Sequence, residues 1–311
     1  MSEFVGHGVL YPIRSMRIFR KRAPQTDRTQ SPPLRRGGPL TTSSDEPDWR
    51  SYSDVAEAYG RVHAPRTALP ARDLVELARV ESDARVLDVG TGTGVVAREA
   101  AARAGRGGVV VGMDASIEML QQAVADGGDP FYVAATAIDV PFRDETFTHT
   151  LASFVLSHFA RYETALFDMV RVLQSGGRMG VAAWGPGEDE FSRAWQELAE
   201  QYAGRELLRD ARKRAMPWVE LFEDPNRLKS VLYDAGLRDV QVERREYRFQ
   251  ETTEEYLEAR ETGAVGRFLR QMLGEKLWAT FQARSRQVFT ERFPPRFSDF
   301  RDVNLAIARK P

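Results

Sequence analysis

The chain has 311 residues, with 44 Lys and Arg against 45 Asp and Glu, so it carries no global basic field for gripping nucleic acid. It has no cysteine, which excludes disulfides, thiolate metal sites and a thiol nucleophile and fits a reducing cytoplasm. Its apolar runs fall far short of a membrane span, and the composition is that of a large α/β domain with an insertion.

Residues 1–48 differ from the rest. Arg14, Arg17, Arg20, Lys21, Arg22, Arg28, Arg35 and Arg36 are followed by "SPPLRRGGPLTTSSDEP". The expectation is a disordered tail, or a start codon set too far upstream with Met16 as the true start. An Arg-rich organelle-targeting segment, or an arm touching nucleic acid or membrane, are the alternatives.

Order is expected from Trp49. "WRSYSDVAEAYGRVHA" and "LPARDLVELARV" have helical periodicity, with Leu74, Leu77 and Ala78 on one face. Then come "RVLDV" as a strand and "GVVAREAAARAG" as a helix closed by Gly105. "VVVGMD" is a strand, and "SIEMLQQAVADGG" a helix capped by Ser116. "FYVAA" and "FTHTLAS" are strands, "YETALFDMVRVLQSGG" a helix ended by its glycine pair, and "RMGVAAW" a strand. Such alternation means βαβ units and a parallel sheet covered on both faces. After Trp184 the chain reads as mostly helical, with a long strand after Gly236 and a final strand in "DVNLAIARK". The expected architecture is a doubly wound α/β sheet of seven strands, the last antiparallel. Residues 49–185 form its core, and 186–311 a helical lid plus the last two strands.

Chemistry enters in "ARVLDVGTGTGVVAREA". A strand, a Gly-rich turn and a helix bring a ligand against backbone N–H groups at a helix N-terminus. Gly90, Gly92 and Gly94 allow the turn to be tight and the ligand to lie on the main chain. A dinucleotide site would read G-x-G-x-x-G, but Val95 stands at the third glycine position. Asp88 beside the turn suits a cation better than a phosphate. Asp114 ends the next strand, where a carboxylate accepts from ribose hydroxyls. A ligand with a ribose, a cationic portion and no diphosphate satisfies all three, and S-adenosylmethionine is such a ligand.

In these segments the sequence resembles the class I S-adenosylmethionine-dependent methyltransferases, in particular the small-molecule branch that includes the ubiquinone/menaquinone-biosynthesis C-methyltransferases. "VLDVGTGTG", "VVVGMDASIEML", "ATAIDVPFRDETFTHTLASFVLSHF" and "MVRVLQSGGRMGVAAW" carry the likeness over about residues 50–184. The resemblance implies S-adenosyl-L-methionine as cofactor. The Gly90–Thr91–Gly92–Thr93–Gly94 loop would meet its methionine part and Asp88 its amino group. Asp114 would bind the ribose, with Ala115 and Met119 packing near the adenine. Ala137 would offer a backbone N–H to the adenine edge. Thr136 stands where relatives often carry an Asp, and Ile138 replaces a common acidic residue, so adenine recognition is expected to be weaker or to rely more on backbone. Ser153 and Phe154 would lie near the sulfonium and the substrate mouth.

His158, just past the fourth strand, is the candidate general base, against a purely packing role, and His63 near the entry helices is a second candidate. Tyr52, Tyr59, His63, Phe154, His158 and Trp184 are the candidate acceptor-pocket residues. Tyr52 and Tyr59, seven apart, are expected on one helix face. His149 is expected to be packed within its strand, and "RELLRDARKR" to be a solvated face. No metal site is expected. The expected function is methyl transfer to a small organic acceptor, at carbon or oxygen rather than nitrogen. No nucleic acid or membrane span is expected as partner, and at most a second copy of the chain. The competitors are a nucleic-acid or protein methyltransferase, a nicotinamide oxidoreductase, and a non-methylating protein that binds the same cofactor.

Overall fold

Val86, Leu87, Asp88 and Val89 are all buried, a run that only a strand covered on both faces can accommodate. The computed structural model describes residues 49–311 and the two-residue strand β1 (Ile18–Phe19). The other residues of the 1–48 segment, and the expectations attached to them, lie outside the described residues. The seven expected strands are present: β2 (Arg85–Val89), β3 (Val109–Asp114), β4 (Phe131–Ala134), β5 (Phe147–Ser153), β6 (Leu173–Trp184), β7 (Arg238–Thr252) and β8 (Arg296–Arg309). The sheet order is β1-β4-β3-β2-β5-β6-β8-β7, with β1 added antiparallel on the outer edge. β4, β3, β2, β5 and β6 run parallel, and β8 lies antiparallel between β6 and β7.

Helices cover both faces. α2 (Ala64–Leu77), α3 (Val95–Ala104) and α4 (Ile117–Ala125) bury Val75, Ala97, Ala100 and Leu120 against one side. α5 (Tyr162–Val172), α8 (Val219–Phe222) and α9 (Pro225–Asp234) bury Leu166, Met169, Phe222 and Leu228 against the other. Each fully buried Val, Leu, Phe or Met among them contributes about 1.5–3 kcal/mol. α1 (Ala56–Val62) lies close on α4, where a Cβ at Gly60 would sit 3.2 Å from Gln122 Cγ.

The lid has its own core. α6 (Glu190–Ala203), α7 (Arg205–Ala215), α10 (Thr253–Thr262) and α11 (Ala264–Arg292) pack Trp195, Leu198, Tyr256, Phe281 and Phe289 together. α6 leaves the carboxyl end of β6 and α10 that of β7, so this cluster rises at the end of the sheet where ligands bind in doubly wound folds. α8 and α9 are not part of it; they belong to the sheet's own cover. The "RELLRDARKR" helix, α7, buries only Leu208, Ala211 and Ala215; most of its charges are exposed, but Arg212 pairs with Glu223 (2.8 Å) and Arg214 lies over the Trp49 ring (5.7 Å).

One boundary differs from the sequence reading. α5 stops at Val172, short of the glycine pair, and β6 begins at Leu173. Leu173 pairs with Phe147, Gly176 N–H donates to Lys310 O (2.9 Å) and Lys310 N–H to Gly177 O (3.0 Å). Long-range pairing overrides the local helical pattern there. Among the described residues no helix is long and apolar enough to cross a membrane.

Candidate active site

β3 and β4 lie on one side of β2 and β5 on the other, so the loops after β2 and β5 diverge around a crevice. The β2–α3 loop holds three left-handed glycines, and two of them are locked by packing. A Cβ on Gly90 (φ 70°) would fall 2.3 Å from Val155 Cγ2, and one on Gly94 (φ 81°) 2.4 Å from the Tyr132 hydroxyl. Gly92 (φ 53°) is different: nothing lies within 4 Å of its would-be Cβ. The main chain is open on that side alone, as a loop that cradles a ligand requires.

Two acids flank the loop. Asp88 is 1% exposed and accepts from Thr91 Oγ1 at 2.5 Å. Burial, reinforced by Asp114 nearby, pushes its carboxyl up to about 7. Asp114 Oδ2 accepts from Gly92 N–H (2.8 Å) and Oδ1 from Ser116 N–H (2.9 Å). Burial raises its carboxyl too, against the pull of those N–H groups. Each oxygen keeps a lone pair for another donor. Two carboxylates short of solvation favour a cation and repel a pyrophosphate. The Thr93 Oγ1 and Ser153 Oγ atoms are buried with no hydrogen-bond partner among the described residues.

Ser116 caps α4 through Met119 N–H (3.2 Å), which seats Met119 in the core below an exposed Ala115. Ser116 Oγ also meets Ser53 Oγ at 3.3 Å, tying the segment before α1 to the ribose side of the loop. Thr136, Ala137 and Ile138 follow β4 as a turn, with Ile138 53% exposed.

That tie brings four of the sequence-predicted pocket residues into one wall. Tyr52 meets Tyr59 edge-on, ring centroids 5.6 Å apart, and His158 at 5.8 Å; Tyr59 stacks on His63 at 4.7 Å. Tyr52 is not on the helix of Tyr59: it precedes a 3-10 turn over Ser53–Val55, and the two rings meet through that turn. His63 Nε2 lies 3.0 Å from Thr262 Oγ1, whose own proton goes to Glu258 O (2.8 Å). The imidazole therefore carries its proton on Nε2 and leaves Nδ1 as the basic atom. Burial, aided by the Arg66, Arg267 and Arg260 guanidiniums, drives His63 down to about 3. Burial takes His158 to about 4, with the Ala215 backbone pulling the other way. Both rings are neutral at neutral pH. Burial raises the Tyr52 and Tyr59 phenols.

Phe154 and Trp184 sit elsewhere. They stack on each other at 4.0 Å, in a cluster with Leu74, Val303 and Leu305. Among the described residues no ring contact joins them to the tyrosine wall. Phe154 does hold a left-handed backbone (φ 55°) at the carboxyl end of β5, an uncommon position for a bulky residue. His149 lies in β5, with Nδ1 2.8 Å from Thr148 Oγ1.

The sequence reading missed Arg267. Its guanidinium lies 4.4 Å from the Tyr52 ring centroid, held by Trp49 O (2.8 Å) and Thr262 O (2.6 Å). The bond to Trp49 spans 218 residues, which no local pattern could signal.

Comparison with known proteins bears on this geometry. A family profile described as "Methyltransferase domain" matches residues 87–181. The ubiquinone/menaquinone biosynthesis C-methyltransferase UbiE of Ectopseudomonas mendocina is 31% identical over 183 residues, 54% of this chain and 71% of that protein. A demethylmenaquinone methyltransferase of Paenarthrobacter aurescens is 31% identical over 61% of this chain and 78% of its own length. The chain belongs to the class I S-adenosylmethionine-dependent methyltransferases. The match spans only 38% of the biotin biosynthesis bifunctional protein BioHC of Cellvibrio japonicus, at 29% identity, and 54% of a Thermus thermophilus demethylmenaquinone methyltransferase. A Haemonchus contortus phosphoethanolamine N-methyltransferase solved with S-adenosyl-L-methionine shares the methyltransferase's fold: TM-score 0.52, 18% identity, 86% of this chain and 61% of that one. The family cofactor, S-adenosylmethionine, fits the residues present, with open main chain at Gly92, two desolvated acids beside it, and the buried Thr93 and Ser153 hydroxyls without partners.

Proposed function

We propose that this chain transfers a methyl group from S-adenosylmethionine to a carbon or oxygen atom of a small organic acceptor. The observation that carries the proposal is the open Gly92 backbone, fixed by its 2.8 Å bond to Asp114 and lying beside the buried Asp88. When bound, S-adenosylmethionine supplies an electrophilic methyl group on a sulfonium. Asp88 offers its negative charge to the ammonium, and Asp114 its free lone pairs to the ribose hydroxyls. Ala115 and Met119 would pack near the adenine of bound cofactor, and Ala137 would offer its N–H to the adenine edge. Tyr52, Tyr59, His63 and His158 form the acceptor side, orient the nucleophile and keep water out, and such positioning supplies much of the acceleration in a displacement of this kind. His158, unprotonated above about pH 4, accepts a hydrogen bond or a proton from an acidic acceptor.

The test is calorimetric titration with S-adenosylmethionine, S-adenosylhomocysteine and NAD, followed by methyl transfer from labelled cofactor to a panel of phenols, enols and acids. The first two ligands bind and NAD does not. Asp114→Ala weakens both nucleosides markedly, and unchanged affinity in a folded Asp114→Ala protein refutes the ribose assignment. Binding without transfer to any acceptor marks a protein that holds the cofactor but does not methylate.

A further inference from the structure

Arg66, Arg260, Arg267 and Arg301 converge where the lid meets the sheet, and they are partnered unequally. Arg66 has two carboxylates, Asp299 at 2.5 Å and Glu251. Arg260 and Arg301 instead share one neutral acceptor. Arg301 Nη2 donates to Ser192 Oγ at 2.9 Å, and Arg260 Nη2 donates to the same oxygen. The other Arg260 bonds go to the Tyr256 hydroxyl, at 2.9 and 2.6 Å. Arg267 uses two nitrogens on backbone carbonyls, and its Nη2 is buried with no hydrogen-bond partner. Among the described residues, none of these three is in an ion pair.

Asp189 acts on Arg301 through space, and its oxygens are held by the N–H groups of Ser192 (2.7 Å) and Phe300 (3.3 Å). The Arg66 triad has one surplus negative charge and Asp189 a second, against three guanidiniums, so the cluster keeps one positive charge over. Burial, with Arg260 next to it, lowers the Arg301 pKa, and Asp189 and Tyr256 only partly offset this. Two guanidiniums converging on one hydroxyl oxygen bring together charged N–H donors of the kind that carboxylates and phosphates accept from. The cluster borders the acceptor wall, since Arg260 and Arg267 both act through space on His63, and Arg267 lies over Tyr52.

We propose that Arg260 and Arg301, with Arg267 alongside, form an oxyanion site, and that the methyl acceptor carries a carboxylate or phosphate seated there. The pocket is thus graded, with acids at the cofactor end and guanidiniums at the lid end, so a cationic or neutral acceptor gains nothing from the lid. The assignment to the acceptor rests on the methyl-transfer reading; the oxyanion site itself does not.

The full chain, saturated with S-adenosylhomocysteine, is titrated calorimetrically with benzoate, phenyl phosphate and benzamide. At least one anion binds tenfold or more tighter than benzamide, and the preferred one tells carboxylate from phosphate acceptors. Arg301→Met and Arg260→Met each weaken that anion at least tenfold, with S-adenosylhomocysteine affinity kept within twofold. Benzamide binding as well as both anions in the wild-type protein overturns the site, even where a variant fails to fold. So does wild-type anion affinity in a variant that still binds S-adenosylhomocysteine. If the wild-type protein does not bind S-adenosylhomocysteine, the methyl-transfer reading fails, and the same anion-against-amide comparison on the protein alone still decides the site.

Discussion

Lowering the pH from 8 to 6 is a direct way to question Asp88. Its carboxyl titrates near 7 because burial denies the charge its water. An ammonium ligand needs the ionised form. At pH 8 about one molecule in eleven carries the proton and at pH 6 about ten in eleven, from the titration curve of a single group. The apparent affinity for S-adenosylhomocysteine therefore falls about tenfold across this range, or about 1.4 kcal/mol. Calorimetry at pH 6, 7 and 8, in two buffers of different ionisation enthalpy, reads both the affinity and the proton released. Asp88→Asn binds weakly and with no slope. Equal wild-type affinity at pH 6 and 8, or the same slope in Asp88→Asn, refutes the reasoning. The sign for folding is opposite to the usual carboxylate. A raised pKa means the native state holds its proton longer than the unfolded chain, so stability falls as pH climbs from 3.8 to about 7. The cost above pH 7 is on the order of 4 kcal/mol in the unliganded protein.

The histidines act the other way. His63 and His158 sit at about 3 and 4 against an ordinary 6.5, so their contribution is complete above 6.5 and is lost as the pH falls, by on the order of 3 kcal/mol each by pH 4. His158→Gln flattens the fall in melting temperature between pH 6.5 and 4; an unchanged slope contradicts the assignment. Gly92→Ala meets no neighbour but carries left-handed strain of about 1–2 kcal/mol. It stays folded and binds S-adenosylhomocysteine more than tenfold less tightly. Gly90→Ala drives a Cβ into Val155 and loses more stability, and equal melting temperatures for the two variants count against the open-side assignment. Arg66→Met strands Glu251 and Asp299, the latter 0% exposed, and costs about 3–5 kcal/mol in denaturant titrations. A loss below about 1 kcal/mol shows that the acids find another partner or take up protons at little cost.

The sheet was legible because its signals are local. The sequence boundaries of β2, β3 and β5 match the structure residue for residue, and Ser116 caps α4 as expected, since apolar runs and cap residues act on their immediate neighbours. The start of β6 was not legible, because Leu173 is drawn into the sheet by Phe147 and the glycine pair by Lys310. The same contrast divides the site. Asp88, the glycines and Asp114 occupy one turn and the next strand end, and their spacing is informative. The lid guanidiniums come from α2, α10, α11 and β8; Arg66 and Asp299 alone are 233 residues apart. In sequence each looks like an ordinary surface charge, and only the packing of the lid on the sheet removes its water.

β8 lies inside the sheet, not at its margin. β7 reaches the remaining strands only across it, through pairs such as Glu243–Leu305 and Ala182–Leu305. During synthesis, β6 and β7 thus wait with unpaired edges until residues 296–309 emerge, and a nascent chain stalled short of them exposes two strands ready to join a stranger. Residues 296–309 are thus the stretch that zips the two parts together.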